Sequence, residues 1–267
     1  MAWGKLDSVG YSAGMHAFIT DTSFDSRLRS TISAAWAVFA RKVGSTLIPI
    51  NKEASMQLQY AFVLKQLLPM ALQHPDERAE IELEPGVNMG AGSNNIDILV
   101  HGASSSGEMK IAIELKCYRK IAASGDKRGA HDIFMKDVYE DLQVLEQYVA
   151  QGIATRGVAL VMHDHKLFVN PRVKGGKCWT YDTSNGHTFQ GGHFTVQVGS
   201  RKKPVDIQLA RSYTFNWEKF GQFWFCELEG RCPQELPRPH MSSVERRYPI
   251  PGNGNFGAIA AADQAGS

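Results

Sequence analysis

The chain is 267 residues long, with 43% hydrophobic and 21% charged residues and a formal net charge of +2. That length builds a sizeable core without disulfides or structural metal, and the composition is that of a folded globular protein rather than a disordered one. The near-neutral balance excludes an overall positive field of the kind a bulk nucleic-acid binder carries, so nucleic-acid contacts would have to come from local patches.

No apolar run reaches the roughly 18 residues that a membrane-spanning helix needs. The start, MAWGKLDSVG, lacks the basic and then apolar stretch of a secretory leader, so a cytoplasmic location is expected. Cys117, Cys178, Cys226 and Cys232 form no CxxC pair and read as reduced thiols. Residues 1–23 are rich in glycine and serine without periodicity, whereas 24–43 carry apolar residues at helical spacing and predict a helix. A second helix is expected from a cap at Asn51 to about residue 73, with Met56, Tyr60, Val63 and Leu67 as its apolar stripe. Glu53 then lies in its first turn, where the helix dipole favours a carboxylate.

From residue 79 the period changes. AEIELEP, NIDILVHG and MKIAIELKCY alternate, with the turns GVNMGAGSN and GASSSGE between them, and predict three strands in an antiparallel meander. Residues 131–150 predict a helix whose inner face holds Phe134, Val138, Leu142 and Leu145. TRGVALVMH reads as a buried strand, and that helix is the crossover a parallel partner requires. The aromatic-rich region 176–230 reads as further strands, with a short helix near 216–221. The Pro- and Gly-rich stretch 233–267 reads as a mobile tail.

Strand alternation places Ile96, Ile98 and Val100 on one face of the second strand and Asp97 with Leu99 on the other. In the third strand Ile111, Ile113, Leu115 and Cys117 share one face, and Ala112, Glu114, Lys116 and Tyr118 the opposite one. A short connection lets Asp97 lie beside Glu114 across the ladder. An apolar strand has no structural use for an adjacent carboxylate and ammonium, whose burial costs several kcal/mol, as an order of magnitude, unless they are paired or bind metal. Asp97 and Glu114 are the oxygen donors that magnesium takes, the Leu115 carbonyl can add a third, and Lys116 can orient a water or steady a charged transition state. Glu53, on a helix expected to pack on this sheet, can hold a metal-bound water or a second ion.

Glu53 on a helix, Asp97 in IDILV, Glu114 and Lys116 in IELK, then a crossover helix and an apolar strand resemble the PD-(D/E)xK nuclease superfamily over about residues 50–163. Ile96 stands where the motif has proline. The resemblance implies an α/β fold with a central mixed sheet flanked by helices, restriction-endonuclease-like, carrying here a β-rich C-terminal extension at about 176–230 within one nuclease domain, 1–232. It implies a magnesium-dependent endonuclease, with manganese as a possible substitute, that hydrolyses DNA. Its catalytic residues would be Asp97, Glu114, Lys116 and Glu53, and its metal ligands Asp97, Glu114, Glu53 and the carbonyl of Leu115. A type II restriction enzyme or related defence nuclease is the favoured setting, acting as a homodimer that matches the two-fold symmetry of DNA. The rivals are a structure-specific or transposon-type nuclease, and a non-catalytic DNA-binding or assembly protein of the same fold. Polar residues on the crossover helix, Lys136, Asp137 or Gln143, are candidates for support of the site.

Arg119, Lys120, Lys127 and Arg128 are the candidate DNA contacts. Lys174 with Lys177, and Arg201, Lys202 and Lys203, form two further basic patches. His163-Asp164-His165 reads as a hairpin turn between VALVM and KLFVN rather than a metal site, and His131-Asp132 as a helix start. GVNMGAGSNN lacks the lysine of a phosphate-binding loop and reads as a hairpin that lies against DNA. The aromatics from Tyr213 to Phe225 read as core.

Overall fold

The computed structural model describes residues 21–90, 92–121, 125–126, 131–175, 177–196 and 204–232. Lys127, Arg128, Arg201, Lys202, Lys203, the side chain of Lys177 and the expected tail at 233–267 lie outside them. Helix α1 (Phe24–Gly44) opens with Ser23, whose side chain accepts from the Ser26 N–H. Helix α2 (Glu53–Leu67) continues as a 3-10 turn, Leu68–Ala71. Its start differs from the expected Asn51 cap: Lys52 takes the cap position, and Ser55 Oγ accepts from the N–H groups of Asn51 and Lys52 at 3.1 and 3.2 Å.

Strands β1 (Arg78–Leu83), β4 (Ile98–Ser104) and β5 (Gly107–Tyr118) form the antiparallel meander. A small hairpin, β2 (Gly86–Asn88) and β3 (Ser93–Asn95), lies between β1 and β4. Helix α3 (His131–Ala150) then crosses over to β6 (Arg156–His163), which runs parallel to β5. One helical turn, α4 (Lys166–Val169), and a 3-10 turn at Lys177–Tyr181 follow. The remaining strands are β7 (Thr188–Phe189), β8 (Gly192–Val196), β9 (Val205–Leu209), β10 (Tyr213–Thr214), β11 (Glu218–Phe220) and β12 (Phe223–Glu229).

The central sheet is mixed, in the order β1-β4-β5-β6-β12-β11. Helices α1 and α2 pack on one face, over Ile98, Val100, Ile111, Ile113, Leu115, Cys117, Val158, Leu160 and Met162. Helix α3 packs on the other, with Phe134, Val138, Leu142 and Leu145 buried against Ala112, Ala159 and Val161. The protein is therefore α/β, a mixed sheet flanked by helices. Among the described residues no helix is long and apolar enough to cross a membrane.

Three further sequence expectations are corrected. Residues 216–221 hold no helix: Phe220 pairs with Phe223 across Gly221 and Gln222, and Gly221 has φ +57, the left-handed value a two-residue hairpin turn requires. KLFV is a helical turn, so His163-Asp164-His165 is a strand-to-helix corner and not a hairpin turn. Ile96 does not share a face with Ile98 and Val100: it packs in the α3-side core and they pack under α1 and α2, because the chain bends at Asp97 before β4 begins. The aromatics Tyr213, Phe215, Trp217, Phe223 and Phe225 are buried, as expected of core.

Arg27 staples α1 to the connection between α2 and β1. Its side chain is 0% exposed and donates to the carbonyls of Ala71, Asp21 and Thr22 at 2.8, 3.0 and 2.9 Å, and to Glu77 at 2.5 Å. The second oxygen of Glu77 accepts from the N–H of Gln73 at 2.7 Å. Removing one partner of such a pair leaves the other charge buried and uncompensated, so Arg27→Ala is expected to cost about 3–5 kcal/mol in a denaturant titration. An unchanged midpoint would show that the staple contributes nothing.

Candidate functional site

The site forms where β5 outruns its neighbour. The β4–β5 ladder ends at Ile98 opposite Ile113, but β5 continues to Tyr118. Beyond that point the N–H groups on the β4 edge of β5 have no strand to receive them, and an unpaired buried N–H is costly. Two carboxylates take the place of the missing strand. Asp97 Oδ2 accepts from the Leu115 N–H at 2.6 Å, and Glu53 Oε2 accepts from the Cys117 N–H at 3.1 Å. Since N–H and C=O of one strand residue face the same edge, the Leu115 carbonyl is turned towards the same gap.

Asp97 is held from behind. Its carbonyl accepts from Gln57 Nε2 at 2.8 Å and from the Glu84 N–H at 3.2 Å. Glu84 itself has φ +53, a kink that ends β1. Glu53 reaches the gap from the first residue of α2. On the α3 side of β5, Lys116 Nζ lies 3.5 Å from Glu53 Oε2 and 3.2 Å from Asp141 Oδ2. The four residues singled out in the sequence thus face one place, together with Asp141 and Tyr148 from α3, which sequence reasoning missed. The Tyr148 hydroxyl faces Glu114 and accepts from Asn94 Nδ2 at 2.8 Å, tying the β2–β3 hairpin to the site.

Burial is the main force on the acids. It raises Asp97 to about 6, with the charge of Glu53 adding to it and the Leu115 N–H and Lys116 opposing it. It raises Glu114 to about 9, helped by the charges of Asp97 and Asp141. Asp141 rises to about 7, because burial and the charges of Glu53 and Asp97 outweigh the attraction of Lys116. Burial alone would lower Lys116, but the carboxylates of Asp141 and Glu53 prevail and hold it cationic. Glu114 Oε1 is buried and has no hydrogen-bond partner.

That donor set suits a hard divalent cation: two carboxylates reluctant to ionise side by side, one with an orphan oxygen, and a main-chain carbonyl at the same edge. Among the described residues no three His, Cys, Asp or Glu side chains enclose a metal by themselves. Two carboxylates completed by a carbonyl and water is the number that magnesium ordinarily takes from protein.

The other candidates fall elsewhere. Arg119 is engaged internally: it donates to Asp164 Oδ2 at 3.0 Å and to the Ile50 carbonyl, and its guanidinium lies 4.8 Å over the Phe223 ring. Lys120 is exposed, and its N–H donates to Asp164 Oδ1 at 2.7 Å. Lys136 is buried and paired with Asp137 at 2.6 Å and with Glu140, and Gln143 accepts from the Gln208 N–H at 2.7 Å. Of the crossover-helix candidates only Asp137 acts on the site, as a distant charge on Lys116. Lys174 folds back onto Asp182 at 2.5 Å and Ser184 at 2.9 Å. His163 is buried and held neutral, its pKa pushed down to about 3 by burial and by His165. No protein-family model, curated protein or solved structure matches the chain.

Two outcomes follow from this geometry. Above pH 4.5 an unfolded Glu114 ionises while the folded one holds its proton, so the folded state binds more protons and stability falls as pH rises through the windows 3.8 to about 6 for Asp97, 3.8 to about 7 for Asp141 and 4.5 to about 9 for Glu114. Without divalent cations the melting temperature is expected to fall between pH 5 and 8, and Glu114→Gln to flatten that fall and gain about 1 kcal/mol or more at pH 8. A variant with the wild-type pH profile would refute the assignment. Arg119→Ala is expected to lose about 1–3 kcal/mol of stability with unchanged affinity for a DNA duplex; weaker DNA binding at full stability would reverse that reading.

Proposed function

We propose that this protein is a magnesium-dependent nuclease of the PD-(D/E)xK superfamily, restriction-endonuclease-like in fold, that hydrolyses phosphodiester bonds of DNA. The observation that carries the reading is the placement of Asp97, Glu114 and Lys116 at the end of the β4–β5 ladder, with the orphan oxygen of Glu114 and the ammonium of Lys116 on the same side of β5. Asp97, Glu114, Glu53 and Asp141 surround a single lysine, a surplus of acids in which Glu114 keeps its proton near neutrality and could give it up to a bound cation.

Asp97, Glu114 and the Leu115 carbonyl would hold magnesium, with manganese as a substitute. When bound, the ion acidifies a water and neutralises charge on the scissile phosphate. Lys116 donates a hydrogen bond to the attacking water or to a phosphate oxygen as charge builds there. Asp141 and Glu53 fix the direction of that ammonium and keep it protonated, while Gln57 fixes the main chain of Asp97. A defence nuclease of the type II restriction class is the setting we favour, acting as a homodimer so that each strand of the duplex meets one site.

Supercoiled plasmid with magnesium is expected to be nicked or linearised by the wild type and left intact in EDTA. Lys116→Ala, Asp97→Ala and Glu114→Ala should each slow cutting at least about 100-fold, with Lys116→Ala retaining calcium binding. Branched and single-stranded substrates distinguish a structure-specific enzyme from a duplex cutter. No scission of any of them with magnesium or manganese, or Lys116→Ala cutting as fast as the wild type, would leave a non-catalytic DNA-binding protein as the better reading.

A further inference from the structure

The end of the sheet away from Lys116 carries a second polar cleft. In the parallel β5–β6 pairing Lys116 stands opposite Val161 and the first pair is Ile111 with Arg156, so Arg156 marks the opposite end of β6. There a cleft of about 520 Å³ is lined by Arg29, Arg156, Arg211 and Arg231 together with Glu227 and Glu229. Four guanidiniums meet three carboxylates, Glu227, Glu229 and the Asp25 that holds Arg156, and all three carboxylates are engaged by Arg29 and Arg156.

The arginines divide into two pairs. Arg29 is held by Glu227 at 2.5 Å and Glu229 at 2.8 Å, and Arg156 by Asp25 at 2.7 Å and Glu229 at 3.1 Å, so their planes are fixed before any ligand arrives. Arg211 and Arg231 make no ion pair among the described residues. Arg211 gives one N–H to the Gly230 carbonyl at 3.2 Å, and the rim is closed by the reciprocal main-chain bonds of Ser212 and Arg231 at 2.9 and 3.0 Å. The cleft thus has two arginines that hold its wall and two whose donors remain for a ligand.

We propose that this cleft is a binding site for a phosphate monoester dianion, carried either by a free 5′-mononucleotide or by the 5′-phosphorylated end of a nucleic-acid strand. Two guanidiniums without an ion pair among the described residues, Arg211 and Arg231, match a dianion, their forks match the tetrahedral oxygens, and the volume lies within the range of small-ligand sites, about 300–1,000 Å³. A phosphodiester inside a duplex carries one charge and lies on a convex surface, which a concave cleft fits less well. The site does not depend on the nuclease reading and stands if that reading fails.

Cys232, an exposed thiol on the wall of the cleft, reports occupancy. The full chain carrying Cys178→Ser is treated with a chromogenic disulfide reagent in EDTA, so that no strand scission intervenes. Inorganic phosphate, a nucleoside 5′-monophosphate and a 5′-phosphorylated oligonucleotide are added in turn, beside the 5′-hydroxyl oligonucleotide. Phosphate and at least one phosphorylated ligand are expected to slow modification of Cys232 and raise the melting temperature. Protection by the mononucleotide alone identifies a nucleotide site, and by the oligonucleotide alone a strand-end site. Arg211→Ala with Arg231→Ala should weaken that protection at least about tenfold at an unchanged ligand-free melting temperature. Equal protection by the 5′-hydroxyl oligonucleotide, no protection by any phosphorylated ligand in the wild-type cleft, or full protection of the double variant would each overturn the proposal.

Discussion

The site depends on one mismatch of strand lengths. β5 runs to Tyr118, while β4 enters the ladder at Ile98, one residue after the bend at Asp97. The main-chain donors left on the β5 edge must find acceptors, and the acceptors they find are the carboxylates of Asp97 and Glu53 instead of another backbone. Satisfying neutral N–H groups with anions brings negative charge into a partly desolvated place. Glu114, on the adjoining position of β5, meets that charge and holds its proton to about 9, and the ammonium of Lys116 offsets part of it.

The layers on either side make this gap a fixed feature. Ile111, Ile113, Leu115 and Cys117 anchor β5 to α1 and α2, which turns Glu114 and Lys116 towards α3. The parallel partner β6 locks the same residues from the other edge, with Glu114 opposite Ala159 and Lys116 opposite Val161. Small and β-branched partners at those positions leave room above the sheet for charged side chains. Arg119 completes the frame at the end of β5, because its contacts with Asp164, Ile50 and Phe223 tie the strand end to the β6 corner and to β12.

How far the sequence discloses this varies with the kind of element. The meander, the crossover helix and the charged pair in β5 were legible because alternation has a strict period of two, and a carboxylate and a lysine interrupt it visibly. Asp141 and Tyr148 were not, since HDIFMKDVYEDLQVLEQYVA carries acids around most of its circumference, and only the rotational setting of the packed helix tells Asp141 from Asp137 or Glu140. The bend at Asp97 was hidden too. IDILV reads as unbroken alternation, and the groups that hold the Asp97 carbonyl at the bend, Glu84 and Gln57, are distant in sequence. In the C-terminal region the turn of the β11–β12 hairpin falls on Gly221 and Gln222, at the end of the stretch expected to be a short helix.

The charged groups of this protein fall into two kinds, and the contrast argues for what the site is for. Arg27 is paired with Glu77, and Arg29 holds Glu227 and Glu229, so that each of these carboxylates has a guanidinium beside it. Around Lys116 the acids outnumber the cations, and Asp97, Glu114 and Asp141 all titrate above the usual carboxylate range, so near neutrality part of the cluster keeps its protons. A group that holds a proton because burial outweighs the pull of any neighbouring cation opposes folding as pH rises, and a hydrophobic residue in its place would pack without that cost. A fold that carries three such groups at one strand end gives up stability there, and a divalent cation, by replacing the protons, would recover it.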